Sequence, residues 1–178
     1  MIEGKFVKFR SLESKDLIKL KEWRNENKVR KTTREYRLLS MINQKKWLEK
    51  LQMENPPSSI MFGIVNNKKI LIGVCGLTYI DWKNKHAEIS CYLKLKNWQN
   101  TKEAKDAIET LMEYGYNELN LHRLWAEVFM IAKENISLLK KFNFIKEGEL
   151  RDKLWREGKW WNSQIYSKLN TKMSQMML

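Results

Sequence analysis

One stretch of the sequence has the layout of a site that holds a phosphate group. Residues 93–124, LKLKNWQNTKEAKDAIETLMEYGYNELNLHRL, begin as a strand, pass through a polar loop with lysines and continue as a long amphipathic helix. A helix start offers unpaired amides and a positive dipole end to an anion. Such loops usually contain glycine because the backbone must approach the phosphate closely, yet none lies between Gly76 and Gly115. Two hypotheses therefore stay open, a phosphate site built without glycine or the remnant of one.

A second candidate for chemistry is Glu88. It alternates with Ala87 and Ile89 in the strand-like run HAEISCY. A carboxylate that a strand presents to a cleft can accept a proton from a nucleophile such as an amine, directly or through water. The other interpretation is a strand residue that faces solvent.

The composition is typical of one soluble globular domain. The chain has 178 residues, of which 43% are hydrophobic and 31% charged, enough for a sizeable core. The apolar runs are far shorter than the ~20 residues that span a bilayer, and the amino terminus lacks the apolar core of a signal peptide. Cys75 and Cys91 lie in apolar runs, as expected for packed thiols in a reducing compartment. We therefore expect a cytoplasmic protein.

The charge of +13 is compatible with nucleic acid, an acidic membrane or a small anionic ligand as partner. The basic residues are scattered, however, without a basic run, a recognition-helix signature or the ligand spacing of a zinc site. A solvated basic surface is the simplest interpretation, and an anionic small molecule is favoured over nucleic acid. No metal site is predicted.

The elements follow one another without a linker, which predicts a single mixed α/β domain over residues 1–170 with a loose tail at 171–178. Ser40 is a candidate N-cap, and Pro56 and Pro57 end the helix that it begins. The segment NENKVRKTTREYRLLS is predicted to be irregular until Ser40. Strands are predicted at 5–10, 58–65, 70–80, 86–95, 124–130, 145–155 and 160–169, and helices from residue 14, from 40 to 51, from 101 to 119 and from 133 to 141.

In this order of elements the sequence resembles the GNAT superfamily of N-acetyltransferases over residues 9–169. The pieces that carry the resemblance are EWRNENKVRK, HAEISCYL, NELNLHRLWAEV and KKFNFIKEGELRDKLWREGKWWNSQIYS. They are most similar to the branch of ribosomal-protein N-terminal acetyltransferases and the amino-sugar acetyltransferase of pseudaminic acid synthesis. The resemblance implies a three-layer α/β (α+β) fold, with a mixed, mostly antiparallel central sheet and helices on both faces. It also implies acetyl-CoA as co-substrate.

The resemblance places this cofactor along the central strand and at the polar loop. Strand amides would polarise the thioester carbonyl if the family's splayed pair of strands is kept. In the loop, WQNTKEA puts larger side chains where the family has glycines, and neighbouring lysines such as Lys96 are expected to compensate with charge. The cofactor-binding residues predicted in this way are Cys91, Tyr92, Leu93, Gln99, Asn100, Thr101, Lys102 and Asn135.

The catalytic and acceptor residues follow from the same resemblance. Glu88 is the predicted base, and Ser137 and Tyr166 are candidates for returning a proton to the leaving thiolate. An arginine pair on the acceptor side suits a phosphate or carboxylate, because guanidinium binds either one bidentately. The predicted acceptor-binding residues are Trp23, Arg24, Asn25, Tyr36 and Arg37.

The predicted function is transfer of an acetyl group to a primary amine by direct attack, without a covalent enzyme intermediate. The acceptor is left open among a protein N-terminus, an amino sugar and another small amine. The alternative is a GNAT-fold protein whose degenerate cofactor loop leaves it a non-catalytic binding or regulatory module. A homodimer is left open, and neither nucleic acid nor a membrane is expected as partner.

Overall fold

In a computed structural model, which describes residues 1–171, the chain forms one eight-stranded sheet with helices packed on it. All but the first residue of the predicted tail, 171–178, lies outside the described part. The strands are β1 Ile2–Glu3, β2 Lys8–Ser11, β3 Ile60–Val65, β4 Leu71–Asp81, β5 His86–Leu93, β6 Arg123–Phe129, β7 Ile145–Arg156 and β8 Lys159–Leu169. The helices are α1 Leu17–Asn25, α2 Asn27–Lys31, α3 Met41–Met53, α4 Lys102–Glu113 and α5 Glu134–Lys141.

The sheet has the order β1-β2-β3-β4-β5-β6-β8-β7. Every neighbouring pair is antiparallel except β5 and β6, which run parallel. Parallel neighbours need a crossover connection, and α4 supplies it. This mixed, mostly antiparallel sheet confirms the predicted fold class.

Alternate residues of the central strands pack against helices on opposite faces of the sheet. Ile64 lies in one buried cluster with Ala107 and Leu111 of α4, whereas its neighbour Val65 lies in another with Leu20 of α1 and Leu48 of α3. Successive side chains of a strand point to opposite faces, so the two clusters define a three-layer arrangement. None of the helices within residues 1–171 is long and apolar enough to cross a membrane.

The helix predicted from Ser40 is confirmed with its cap. The Ser40 hydroxyl accepts a hydrogen bond from the Asn43 amide, and the Asn43 side chain accepts one from the Ser40 amide. These reciprocal bonds satisfy donors that the first turn cannot pair by itself. The helix ends at Met53, ahead of Pro56 and Pro57.

The short strand β1 was not predicted, and the strand predicted at 5–10 is observed as β2, which begins at Lys8 rather than Lys5. The reason is Asp106, a buried carboxylate in α4 that accepts hydrogen bonds from the amides of Lys5, Phe6 and Val7 at 2.6–2.9 Å. These three amides turn toward α4 and leave the sheet. The short-range alternation of KFVKFR carries no information about a partner 100 residues away.

Other strand and helix ends differ from the prediction by one or two residues, and two helical segments differ more. Residues 27–31 of the segment predicted to be irregular form the short helix α2. The long helix predicted to run to residue 119 is regular only to Glu113 and continues as a π-helical turn over Tyr114–Glu118.

Candidate active site

The central strands β5 and β6 are hydrogen-bonded over three residue pairs and then part. The pairs are His86 with Arg123, Ala87 with Leu124 and Glu88 with Trp125. Beyond Glu88, β5 keeps its partner β4 on one side and has an open edge on the other. The splay expected from the resemblance is therefore present, and it opens at Glu88.

Amides of β5 point into this opening. The Lys94 amide donates to the Ile72 carbonyl of β4 at 2.7 Å. Because backbone groups of an antiparallel strand alternate between its two sides, the amides of Cys91 and Leu93 face the open edge, and that of Tyr92 faces β4. Two donors directed at one empty edge are suited to a carbonyl oxygen or to the amide groups of an extended ligand.

A cleft of about 1050 Å³ extends from the splay. It lies between the α1–α3 side of the fold and the segment that joins β5 to α4. This volume is at the upper end of the range for small-molecule sites. The predicted site residues that line it are Arg24, Arg37, Glu88, Cys91, Tyr92, Leu93, Gln99 and Asn135.

Glu88 is buried in the cleft, with 5% of its surface exposed. Its carboxylate accepts two hydrogen bonds of 2.8 Å from the Arg34 guanidinium. The Thr78 hydroxyl and the Glu127 amide each donate a further, longer bond of 3.3 Å. Glu88 therefore does not face solvent, and both of its carboxylate oxygens accept hydrogen bonds.

Arg34 connects Glu88 to a second carboxylate. Its Nη2 also donates to Glu127 of β6 at 2.6 Å, and the side chains of both glutamates are only 6% exposed. Burial lowers the pKa of Arg34, but the hydrogen bonds and charges of Glu88 and then Glu127 outweigh this effect and raise the pKa overall. The two carboxylates and the guanidinium form a charged cluster at the point where the strands part.

The polar loop begins α4 with an ordinary hydroxyl cap. The Thr101 hydroxyl accepts from the Ala104 amide at 3.2 Å, while the amides of Lys102 and Glu103, as the first two in the helix, have no intrahelical acceptor. The Gln99 side chain donates to Asn135 of α5 at 2.9 Å. Gln99 and Asn135 thus join the two sides of the cleft at the helix start.

The lysines of this loop do not all face the cleft. The Lys102 ammonium lies 4.6 Å from the centre of the Phe6 ring, outside the cleft lining. Lys96 lines the cleft and is exposed. Lys141 of α5 reaches Asn100 at 3.2 Å. The direction of the Lys102 side chain therefore does not support the charge compensation expected of it.

Neither candidate for the thiolate acid lies in the cleft. The Ser137 hydroxyl donates to the Glu134 carbonyl of its own helix at 2.8 Å, and its side chain is exposed. Tyr166 is 3% exposed in the core, and its hydroxyl donates to Gln164. Tyr92 does line the cleft, and burial raises the pKa of its hydroxyl to about 12, which keeps it protonated at neutral pH.

The predicted acceptor residues divide into structural and accessible ones. Trp23 is buried against Tyr92, with ring centres 6.3 Å apart. Asn25 exchanges two hydrogen bonds with the Leu39 backbone, at 2.8 and 2.9 Å. Tyr36 is exposed beside the Arg156 guanidinium, 5.8 Å from its ring centre. None of these three residues lines the cleft.

Arg24 and Arg37 do line the cleft, but only Arg37 is paired with a carboxylate. Arg37 is paired with Glu35 through bonds of 2.7 and 2.9 Å. Arg24 is half-buried and makes no hydrogen bond or ion pair within residues 1–171. Burial lowers the pKa of Arg24, only partly offset by the charge of Glu35. A half-buried guanidinium with free donors is suited to an anionic group of a ligand.

Three residues of the cluster and its surroundings were missed by the sequence predictions: Arg34, Glu127 and Arg156. Glu127 carried a usable signal, since it is a lone carboxylate between Trp125 and Phe129 on one face of an apolar strand. Arg34 lies in a segment without periodicity, and Arg156 is the last residue of β7, next to the hairpin turn. No sequence pattern places Arg34 beside Glu88, or Arg156 beside the segment that carries Arg34.

A model of the "Acetyltransferase (GNAT) domain" family matches residues 9–165 of the chain. Among curated proteins, the uncharacterized N-acetyltransferase p20 of Bacillus licheniformis is 39% identical over 89 residues, 50% of this chain and 49% of that protein. The uncharacterized N-acetyltransferase YoaA of Bacillus subtilis is 33% identical over 99 residues, 56% and 55% of the two chains. The chain thus spans about half the length of the curated relatives it matches.

Solved structures share the fold at low identity. The spermidine N-acetyltransferase from Vibrio cholerae in complex with CoA and spermine superimposes with a TM-score of 0.85, at 21% identity, over 95% of this chain and 98% of that one. A dodecameric form of the same Vibrio cholerae enzyme gives a TM-score of 0.80 at 20% identity, over 98% and 100% of the two chains. At these identities the likeness establishes the fold.

Proposed function

The chain belongs to the GNAT acetyltransferase family, and on that premise we propose that it transfers an acetyl group from acetyl-CoA to a primary amine bound in the β5–β6 cleft. One observation carries the proposal. The two strands part at Glu88, so that open-edge amides and a buried carboxylate line the same cleft. Acyl transfer needs donors for the carbonyl oxygen and a group that takes the amine proton.

Acetyl-CoA, which GNAT acetyltransferases use, fits the residues around the splay. The open-edge amides of Cys91 and Leu93 would hold its extended arm, and the first amides of α4 would receive its phosphates. The Gln99 and Asn135 amides stand at that helix start and supply the polar contacts that glycine amides give elsewhere in the family. When bound, the cofactor supplies an activated acetyl thioester.

The residues of the chain then account for the movement of protons and bonds. The amine nitrogen attacks the thioester carbonyl carbon, the carbon–sulfur bond breaks, and the thiolate leaves and takes a proton. Glu88 takes the proton that the amine loses, directly or through a water molecule. Along the strand Glu88 lies about 10 Å from Cys91, at ~3.3 Å per residue, which leaves room for that water. We keep the acid for the thiolate open, because neither Ser137 nor Tyr166 lines the cleft.

The acceptor is proposed to be an amine that also carries an anionic group. The ammonium end suits the carboxylates Glu88 and Glu127, and the anionic end suits the free guanidinium of Arg24. An amino-sugar derivative with a phosphate or carboxylate and a peptide N-terminus near an acidic side chain both have this chemistry. A plain polyamine, the acceptor class of the Vibrio cholerae enzyme, has none.

A homodimer is proposed on the strength of one exposed apolar surface. The β7–β8 hairpin, at the sheet edge, exposes Ile145, Leu150, Trp155 and Trp160. The rings of Trp155 and Trp160 are in contact, with centres 5.1 Å apart, and exposed apolar residues on an edge hairpin are typical of an association surface. Light scattering of Trp155→Lys against the starting protein tests this, since one charge in the surface should leave a monomer.

The experiment for the function as a whole measures release of the CoA thiol with a panel of amines. The panel contains an acidic peptide with a free N-terminus, an amino-sugar phosphate and spermidine. The proposal expects turnover with at least one of the first two and a clear preference over spermidine. The non-catalytic alternative expects no turnover with any amine, and the curated relatives, which are named N-acetyltransferases, give it no support.

A further inference from the structure

We propose that Arg34 occupies the subsite of the acceptor ammonium and that an amine binds by displacing it. The inference rests on the proposed function. It assigns Glu88 and Glu127 as one dicarboxylate site for a primary alkylammonium, and Arg34 as a built-in competitor for that site.

The cluster of Arg34, Glu88 and Glu127 has more negative than positive charge. Arg34 contributes one positive charge against two carboxylates that are each 6% exposed at the side chain. Buried carboxylates require cationic partners, because leaving two of them unpaired at close range is strongly unfavourable. Whatever cation replaces Arg34 therefore gains the same two partners.

Arg34 also lies where the acceptor amine has to bind. The Arg34 guanidinium reaches Glu88 at the last residue before the strands part, where an amine must come to meet the open-edge amides. The Arg34 side chain itself is 41% exposed, so it enters from the solvent side of the cleft. It closes the entrance to the two carboxylates without being part of the sheet.

The aromatic surroundings would accept an alkylammonium equally well. The Arg34 guanidinium lies 5.3 Å from the centre of the Tyr79 ring and 5.9 Å from that of Phe129. Aromatic faces attract ammonium and guanidinium ions alike. The subsite therefore combines two carboxylates with two rings, all of which attract an ammonium ion as well as a guanidinium.

The segment that carries Arg34 is held by other basic residues. Arg156, at the β7–β8 turn, donates to the carbonyls of Thr33 and Arg34 at 3.1 and 3.3 Å. Arg30 donates to the Tyr36 carbonyl at 3.2 Å. Lys31 of α2 also forms an ion pair with Glu157 in the same turn. These contacts set how much an incoming amine must gain in order to displace Arg34.

The arrangement has a consequence for the proposed base. While Arg34 is in place, both oxygens of Glu88 are engaged. An amine that displaces Arg34 gains direct contact with these two oxygens. Arg34 is thus a positioning residue that holds the Glu88 carboxylate in place until the acceptor arrives.

The test measures binding of n-butylammonium, a minimal primary ammonium ion, by calorimetry and by thermal shift. Arg34→Ala should bind it saturably, at least tenfold more tightly than the starting protein, with a rise in melting temperature. Methylguanidinium should bind to the same variant and compete. The double variant Arg34→Ala/Glu127→Gln should lose most of this gain. Arg151→Ala, which removes an exposed arginine of β7, should behave like the starting protein.

A second variant keeps the test decisive if Arg34→Ala folds poorly. Arg156→Ala frees the carbonyls of Thr33 and Arg34 and leaves both carboxylates intact, so it should also tighten n-butylammonium binding severalfold. If folded variants of both kinds bind the ion no better than the starting protein, the proposal is overturned. The readout needs no cofactor. Absence of acetyl-CoA binding in the starting protein would count against the proposed function, whereas unchanged cation binding counts only against the displacement of Arg34.

Discussion

Glu88 of β5 lies opposite Trp125 of β6 in the last pair of residues that joins the two parallel strands. The opening of the sheet and the buried carboxylate are therefore one structural feature. The residue that ends the pairing is also the residue that presents a proton acceptor to the cleft. An ion pair with Arg34 and the Glu127 amide fixes this carboxylate across the gap.

Glu88→Gln should lower turnover with a responsive amine by ~10²-fold or more, the scale of general-base catalysis. The amide keeps the volume and the hydrogen bond from Thr78 but cannot take a proton, so acetyl-CoA affinity should be unchanged. Thiol release and calorimetry measure the two quantities. Glu118→Gln, an exposed glutamate, is the control. An unchanged rate for Glu88→Gln would remove Glu88 as the base.

Arg24→Met should raise KM for an acceptor that carries a carboxylate or phosphate by ~10-fold or more, because a charge-assisted hydrogen bond contributes roughly 1.5–3 kcal/mol. KM for n-butylamine should not change, since it has no anionic group. Methionine keeps most of the apolar stem of the half-buried side chain. Equal effects on both acceptors would show that Arg24 supports the fold and does not contact the acceptor.

Lys96→Ala should weaken acetyl-CoA severalfold at low salt and flatten the dependence of its affinity on ionic strength, since exposed charges are screened within about 10 Å at 0.1 M salt. Lys102→Ala should have little effect, in contrast to the prediction from sequence, because its ammonium lies over Phe6. Lys105→Ala, whose partner is Glu109 on the same helix, serves as the control. If Lys102→Ala weakens acetyl-CoA binding more than Lys96→Ala does, Lys102 and not Lys96 contacts the phosphates.

Asp106→Asn should lower the free energy of unfolding by about 1–3 kcal/mol, the cost of leaving buried donors unpaired. The amide loses one of the two oxygens that accept from Lys5, Phe6 and Val7 and brings a donor toward their amides. Urea unfolding measures the change, and Asp152→Asn, at an exposed residue of β7, is the control. Stabilities within 0.5 kcal/mol of each other for the two variants would show that the amino-terminal turn does not depend on this carboxylate.

The sequence predicted what local patterns determine. The order of the central elements, the Ser40 cap and the buried face of α4 follow from periodicity and capping, because neighbours in the chain decide them. The position of Glu88 in a central strand could be predicted in the same way, from the residues next to it in the chain. What remained hidden depends on residues far apart in the chain. Arg34 meets a glutamate 54 residues later, and Asp106 holds a turn 100 residues earlier. No local pattern contains either contact.

For the same reason, the sequence predicted the composition of the polar loop before α4 but not the directions of its side chains. The absence of glycine and the abundance of lysine are visible in the sequence, and so is the Thr101 cap. The direction of each lysine is not, since Lys102 turns toward Phe6 and Lys141 approaches Asn100 from another helix. Composition near a helix start therefore overstates the charge that reaches the site.

Calorimetric titration of the protein with acetyl-CoA tests the central claim most directly, because it needs no knowledge of the acceptor. The account predicts saturable binding at one site per chain, weakened by Lys96→Ala and unchanged by Glu88→Gln. A protein that is folded by circular dichroism and yet shows no heat of binding and no thermal stabilisation at millimolar acetyl-CoA would contradict it.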